Sequence, residues 1–439
     1  MKTNKYIILP LMAILVVSCA KQLNLYLHSS VSPEAVTAAD LPAMRTGMYN
    51  RVMSLPTAYS YIGFDFLGGD MIYSQSGSPA QSIQTYMTAT SGHMSSPWNG
   101  MYEALYQVNN VLAACERFPE NEKAAMFASE AHFFRAYLYM QLVIRYGDVP
   151  LLRENTIDKV ARTPKSEVWS FIDEELVLAK EGLKEQQSTY HVSLDAVQAL
   201  KARVLLYEGK KAEAADAAIE LIESGRYQID DPDNIWGNVS GRQEASANKE
   251  SIMSFANVDT ENGLYLGSNF YTYAYVNGGG GWWYMTDEAY ASFEDNDIRK
   301  EKCVYIESTD PTIAFHYCVN KYRGGQKFTS PIPLFRISEM YLIAAEGKGL
   351  SGQKWLNEIR KERGLSELNA ADEEEMLDYV LEERRHELMG EGHRWYDLVR
   401  TGKFVSTINS SEVQDYHCLF AIPQAQITLN DLLVQNSVY

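Results

Sequence analysis

Cysteine is scarce in this chain, basic residues are outnumbered, and the familiar catalytic signatures are missing. Five cysteines occur in 439 residues, and no two of them form a C-x-x-C pair, so a zinc ribbon or dithiol redox centre has no support. Cys303 and Cys318 lie symmetrically about Asp310-Pro311. If the segments between are two strands of one hairpin, the cysteines face each other and a disulfide can form, the alternative being two buried free thiols. Lysine and arginine total 39 against 57 acids, a formal charge of −18 at pH 7. A surface this acidic repels phosphate backbones, so nucleic acid is not an expected partner.

Catalytic and cofactor motifs fail on spacing. His386-Glu387 opens like H-E-x-x-H, but the fourth residue after His386 is Gly390, and two zinc ligands on one helical face need a second histidine there. The glycine run from Gly278 to Gly281 is followed by Trp282, Trp283 and Tyr284 rather than Lys-Ser/Thr, which argues against a phosphate loop. Asp295-Asn296-Asp297 and Asp230-Asp231-Pro232-Asp233 do not match a calcium loop and read as solvated acidic turns. G-x-S-x-G is absent, and in so acidic a chain no carboxylate pair stands out as catalytic. Neither enzyme activity, nor a cofactor, nor a metal is expected.

The N-terminus, by contrast, is informative. Lys2 and Lys5 precede an apolar stretch from Tyr6 to Val17, shorter than the roughly 20 residues a spanning helix needs. It ends in Val16-Val17-Ser18-Cys19, which resembles a bacterial lipobox, where the cysteine thiol receives diacylglycerol. A merely secreted chain would show an A-x-A-like site. Residues 1–18 are therefore expected to be a signal peptide, Cys19 the lipidated residue, 19–35 a tether and 36–439 a single body. No later run is long and apolar enough to cross a bilayer.

Along the body, helical periodicity comes in blocks. It predicts a helix from Pro33 to Leu55, then an irregular region over 56–96 rich in Gly, Ser, Thr and aromatics. Helices are expected from Pro97 to Cys115 and from Glu120 to Tyr146, and another opens at Thr163-Pro164, with the threonine as N-cap. The clearest unit is 193–225. Ser193 caps a helix whose Val197, Leu200, Val204 and Tyr207 share a face, and Gly209 stops it. A second helix carries Ala212, Ala215, Ile219 and Ile222 on one side. Two helices with alanines at the seam and a length near ~34 residues suit a tetratricopeptide-like pair, although a lone unit is equally an ordinary helical hairpin. Residues 226–332 turn irregular and rich in Tyr, Asn and Gly, and helices resume over 335–403. The expected fold is mostly α: a tetratricopeptide-like helix-pair scaffold (blocks 97–225 and 335–403) with a long aromatic, loop- and hairpin-rich insertion.

Within the insertion, Trp282, Trp283 and Tyr284 follow the glycine run, with Tyr273 and Tyr275 just before it. Glycines beside aromatics suggest an exposed platform for sugar rings or peptide side chains, the alternative being that these rings close the core. Asp70 and Tyr73, in the first irregular region, are secondary candidates, while Trp98 and Tyr102 are assigned to the core. Arg384, Arg385, Glu387, Glu391, Arg394 and Asp397 are expected to form ion pairs linking the C-terminal helices to the helix of Arg135.

Several of these segments, in order, resemble the SusD/RagB family of outer-membrane nutrient-binding lipoproteins. They are Trp98 to Tyr102 with Asn109-Asn110, Arg135 to Pro150, the 193–227 pair, Pro331 to Glu346 with Leu356 to Leu365, Glu382 to Lys403, and the ending from Ile422-Pro423 to Tyr439. The resemblance implies a non-catalytic, surface-exposed lipoprotein that captures a glycan or a peptide and sits over a SusC-like, TonB-dependent β-barrel transporter. The competing reading is a tetratricopeptide-type envelope assembly lipoprotein that binds proteins, whose partner binding would survive removal of the aromatic insertion.

Overall fold

The computed structural model describes residues 35–55, 63–73, 78–183, 188–236, 248–256, 266–270, 281–307, 316–323 and 330–439. Cys19, Tyr273 and Tyr275 lie outside them, as does the predicted leader. Helix α1 spans Leu41–Met53. It begins after a short 3-10 turn at Ala38–Asp40, later than the predicted start at Pro33, with Pro42 in its first turn. The next stretch departs from the expected irregular loop. It holds the short helix α2 (Gly63–Leu67), strand β1 (Met71–Tyr73) and helix α3 (Pro79–Tyr86). Phe64, Phe66, Leu67 and Met71 are all nearly inaccessible. Side chains buried on every side leave no amphipathic period to read.

Helix α4 (Gly92–Arg117) begins before Pro97, not at it. The hydroxyl of Ser91 accepts from His93 N at 3.2 Å and supplies the cap. The proline then sits just past the first turn, where it costs one backbone hydrogen bond. Helix α5 (Ala124–Tyr146) follows, then α6 (Lys165–Leu178). Thr163 does not cap α6. It lies in a bridge with Val149, and the carboxylate of Asp148 accepts from Lys165 N at 2.8 Å instead.

The 193–225 pair forms as predicted. Helix α7 (Leu194–Glu208) is capped by the Ser193 hydroxyl, which accepts from Ala196 N, and ends at Gly209 with φ +94°, a conformation that glycine adopts without strain. Val197, Leu200, Val204 and Tyr207 are all buried. In α8 (Lys211–Glu223) the buried face is Ala214, Ala215, Ala217, Ala218 and Leu221, rotated from the predicted one, and Ala212 is exposed. Two helices crowd α8, with α7 on one side and, on the other, α11 (Ile337–Lys348). A Cβ on Gly347 of that helix would collide with the Lys211 carbonyl and lie 2.7 Å from Ala215 Cβ. The small residues are what let the two backbones approach.

The insertion contributes strands β2 (Ser251–Phe255) and β3 (Trp283–Met285), short helices α9 (Asp287–Ala291) and α10 (Ile298–Lys302), and strands β4 (Val304–Glu307) and β5 (His316–Val319). Strand β6 (Ile332–Arg336) leads into α11 (Ile337–Lys348), followed by α12 (Gln353–Glu362), α13 (Glu373–Glu387) and α14 (Arg394–Arg400). A last short helix, α15, spans Gln424–Leu429. The strands form an antiparallel four-stranded sheet in the order β1-β3-β5-β4 and a two-stranded β2-β6 ladder. The predicted hairpin exists as β4-β5, and of the two outcomes open to its cysteines the structure holds the second: Cys303 and Cys318 are buried free thiols. The register sets Cys318 opposite Tyr305, while the Cys303 carbonyl accepts from Asn320 N. The two cysteines are thus diagonal rather than opposed, and diagonal neighbours stand about 7–8 Å apart at Cα.

Buried apolar side chains from Leu41 to Leu433 make one contiguous cluster, and a smaller one seals α11 against α12 and α13. The insertion is fastened to the C-terminal helices by charge. Glu387 accepts from Arg299, Arg336 and Arg363, each at 2.9 Å, and Glu391 takes Arg336 and Lys321, each at 2.8 Å. All six side chains are nearly inaccessible. Arg384 pairs with Asp397 at 2.7 Å as expected. Arg135, however, is outside this network and binds Glu175 of α6 in a bidentate fork of 2.7 and 2.8 Å. The cations that meet Glu387 come from the insertion, from β6 and from the end of α12.

Candidate ligand-binding site

The β1-β3 ladder joins the two irregular regions. Its register places Tyr73 opposite Trp283, Ile72 opposite Tyr284 and Met71 opposite Met285. Residues far apart in the sequence thereby share one aromatic ledge. Its upper layer is Tyr73 and Trp282, whose rings lie nearly parallel, 13° apart with centroids at 6.0 Å. Trp282 is 42% exposed, and its backbone N–H is anchored on the Asn269 carbonyl at 2.8 Å. Tyr284 is half-buried across from Ile72.

Beneath them lies a floor of Trp283, Phe66 and Tyr86. Trp283 is 1% exposed, packed 4.6 Å from Phe66 and 5.0 Å from Tyr73 between centroids. It is a core residue, so for this one ring the core alternative holds, and it supports the ledge from within. Tyr86 packs edge-on against both Phe66 and Tyr73. His93, at the start of α4, packs 4.5 Å from Tyr86, and burial lowers its pKa below the usual histidine range, which keeps the ring neutral at pH 7.

Asp70 is placed beside the ledge but does not face solvent. It is 2% exposed, and its carboxylate meets Arg385 Nε at 2.7 Å and Arg394 Nε at 3.4 Å. Its carbonyl accepts from Thr286 N at 2.9 Å. The residue is a strut between β1, the end of β3 and the C-terminal helices, rather than a ligand-facing acid. A carboxylate preceding a strand looks the same in sequence whether it faces water or two arginines.

One feature of the sheet escaped the sequence. Tyr290 of α9 and Tyr317 of β5 stack at 3.9 Å and 10°, with Lys300 Nζ 5.2 Å from the Tyr290 ring. The pairing of Met285 with Tyr317 sets this stack on the same sheet as the ledge. No sequence spacing joins the two tyrosines, because their contact depends on how α9 folds back over β5.

The arrangement offers flat, rigid, partly exposed rings and little titratable chemistry. Among the described residues no cluster of His, Cys, Asp or Glu could hold a metal ion, and no helix is long and apolar enough to cross a membrane. Parallel aromatic faces on a preformed support suit a ligand with its own flat apolar faces and a polar edge.

Comparison with known proteins converges on one group. A family model described as the SusD family matches residues 314–439, and another, described as starch-binding associating with outer membrane, matches residues 31–206. The SusD-like protein P38 of Formosa agariphila is 26% identical over 456 residues, covering 89% of this chain and 90% of that protein. Among solved structures, a SusD superfamily protein from Bacteroides vulgatus superposes with a TM-score of 0.78 at 24% identity, covering 92% of this chain and 99% of the other. A laminarin-binding SusD-like protein does so with a TM-score of 0.75 at 23% identity, covering 92% and 100%. At these identities the structural likeness speaks for the mostly helical fold.

Proposed function

The chain belongs to the SusD/RagB family, and on that premise we propose that it captures a glycan at the outer-membrane surface and passes it to a SusC-like, TonB-dependent transporter. The family is one of binding proteins, so the task is capture rather than bond cleavage. The observation that carries the reading is the parallel Tyr73–Trp282 pair, held on a sheet and backed by a buried floor. Sugar rings present C–H faces that stack on such surfaces and hydroxyls that point outward. Anchoring through lipid on Cys19 would keep the protein at the membrane. Glycan is favoured over peptide because one similar structure is described as binding laminarin and one matching family model is described as starch-binding.

Two experiments test this. Trp282→Ala should weaken binding of the cognate oligosaccharide at least tenfold, about 1.4 kcal/mol, by isothermal titration. Thermal stability should stay near that of the wild type, since the ring is partly exposed. Unchanged affinity would remove the ledge from consideration. Extraction of the native protein in mild detergent should bring down a large β-barrel protein with it. A lone species would count against the transporter, and a peptide displacing the glycan would shift the ligand class.

A further inference from the structure

We propose that a groove on the flank of α4, separate from the ledge, is a second carbohydrate site that takes an uncharged stretch of the same polymer. This rests on the glycan-binding reading above. The groove has a volume of about 580 Å³, within the range of small-ligand sites. One wall is a single face of α4, where Asn99, Tyr102, Glu103 and Tyr106 recur at helical spacing. Tyr106 is 50% exposed, and Trp98 closes the floor. The opposite walls are the segment between α5 and α6 and the C-terminal segment around α15, which contributes Gln426 and Asn430.

The walls are tied together rather than merely adjacent. Tyr102 Oη donates to the Pro150 carbonyl at 2.9 Å, and Asn155 Nδ2 to the Tyr106 carbonyl at 3.1 Å. Gln426 Nε2 donates to Asn99 Oδ1 at 3.0 Å, and Asn430 Nδ2 to the Val160 carbonyl at 2.9 Å. Such a groove is formed before any ligand arrives, which limits the ordering cost of binding.

Its chemistry selects the ligand. Phenol rings and side-chain amides line it, and no lysine or arginine does. The charged side chains at the groove are the carboxylates of Asp158 and Glu103, the latter also reached by Arg51. A sulfated or uronate-rich chain would meet two carboxylates and no cation among the lining side chains, whereas a neutral chain offers hydroxyls to the amides and C–H faces to Tyr106. Ile157, Leu429 and Val434, each next in sequence to a lining residue, are exposed and would suit a protein surface. The concave, phenol- and amide-lined interior favours a sugar. Both sites touch α4: His93 packs at the ledge, and Tyr106 lies 13 residues further on, about 20 Å along the axis at 1.5 Å per residue. A polymer that spans both gains avidity that a short oligomer cannot.

The test uses the full-length protein with a panel of soluble neutral polysaccharides (β-glucan, α-glucan, mannan, xylan), short oligomers of each, and a sulfated glycan. Tyr106→Ala should weaken binding of the preferred polymer about tenfold or more and leave the short oligomer, held at the ledge, unchanged. In Trp282→Ala protein the same polymer should still slow hydrogen exchange in residues 150–160. Equal polymer affinity for Tyr106→Ala and wild type, or protection of 150–160 by the sulfated glycan as strong as by the neutral one, overturns the groove as a neutral-glycan site and leaves the ledge standing. Failure of wild-type protein to bind any neutral polymer or oligomer overturns the glycan reading itself, and the groove with it.

Discussion

Glu387→Ala is expected to lose at least about 3–5 kcal/mol of stability, the cost of breaking a buried ion pair by removing one partner. Its carboxylate is the hub at which guanidiniums from the insertion, β6 and the end of α12 converge. Without it, Arg299, Arg336 and Arg363 keep their charge in a site from which water is excluded, and the remaining acids must hold them alone. Those acids are Asp297, Glu383, Glu250 and Glu391. Urea denaturation with Glu387→Gln alongside separates charge from shape: the amide fills the same space yet cannot balance three guanidiniums, so it too should be strongly destabilised. A Glu387→Ala midpoint equal to wild type would mean the network does not hold the insertion.

The same network sets an acid limit. Burial alone would raise the Glu387 and Glu391 pKa values. The arginines beside Glu387, and Arg336 and Lys321 beside Glu391, reverse this and hold both carboxyls below the ordinary glutamate value of 4.5. A carboxyl whose pKa is lowered by folding contributes its stability fully above the unfolded value and loses it as pH falls through the folded one. Wild-type stability should therefore drop steeply below about pH 4.5, and the drop should be shallower in Glu387→Ala.

Trp395→Ala is expected to cost about 3–5 kcal/mol. The indole is fully inaccessible and sits among Phe64 and Phe420, each 5.0 Å away, and Phe404 at 6.3 Å. It joins α2, from the N-terminal part of the chain, to α14 and the C-terminal segment. Its Nε1 is buried with no hydrogen-bond partner among the described residues, so the ring acts here as apolar volume. Trp395→Phe deletes that unmatched donor along with some volume and should cost markedly less than alanine. Equal melting losses for the two variants would show that the nitrogen, not the ring, carries the energy.

These two residues mark what was legible. Glu387 and Trp395 both lie in the stretch from Glu382 to Lys403 that resembles the family most specifically, and their importance could be read from the chain. Their partners could not. The helix of Arg135 looked like the other side of the C-terminal network, but Arg135 serves Glu175 instead, because α6 packs against that helix. The helical pair after Ser193 was readable because its signals are local: a hydroxyl cap, an apolar face and a glycine stop act within a few residues. Pro97 misled for the same reason, since a proline marks a helix start only when no better cap precedes it, and Ser91 does. Cys303 and Cys318 were rightly placed on one hairpin, but their symmetric spacing says nothing of register, which slid them onto a diagonal.

By itself the sequence determined the helix-pair scaffold, the family and the absence of catalytic spacing, since each rests on residues close together in the chain. Only the tertiary structure decided what the aromatics do. It set Tyr73 beside Trp282, turned Trp283 inward, gave Asp70 to two arginines and brought the α4 face against the C-terminal segment to make a groove. Each outcome depends on strand register and helix packing between distant segments. Those are settled by the summed burial of the whole core, which no local pattern records.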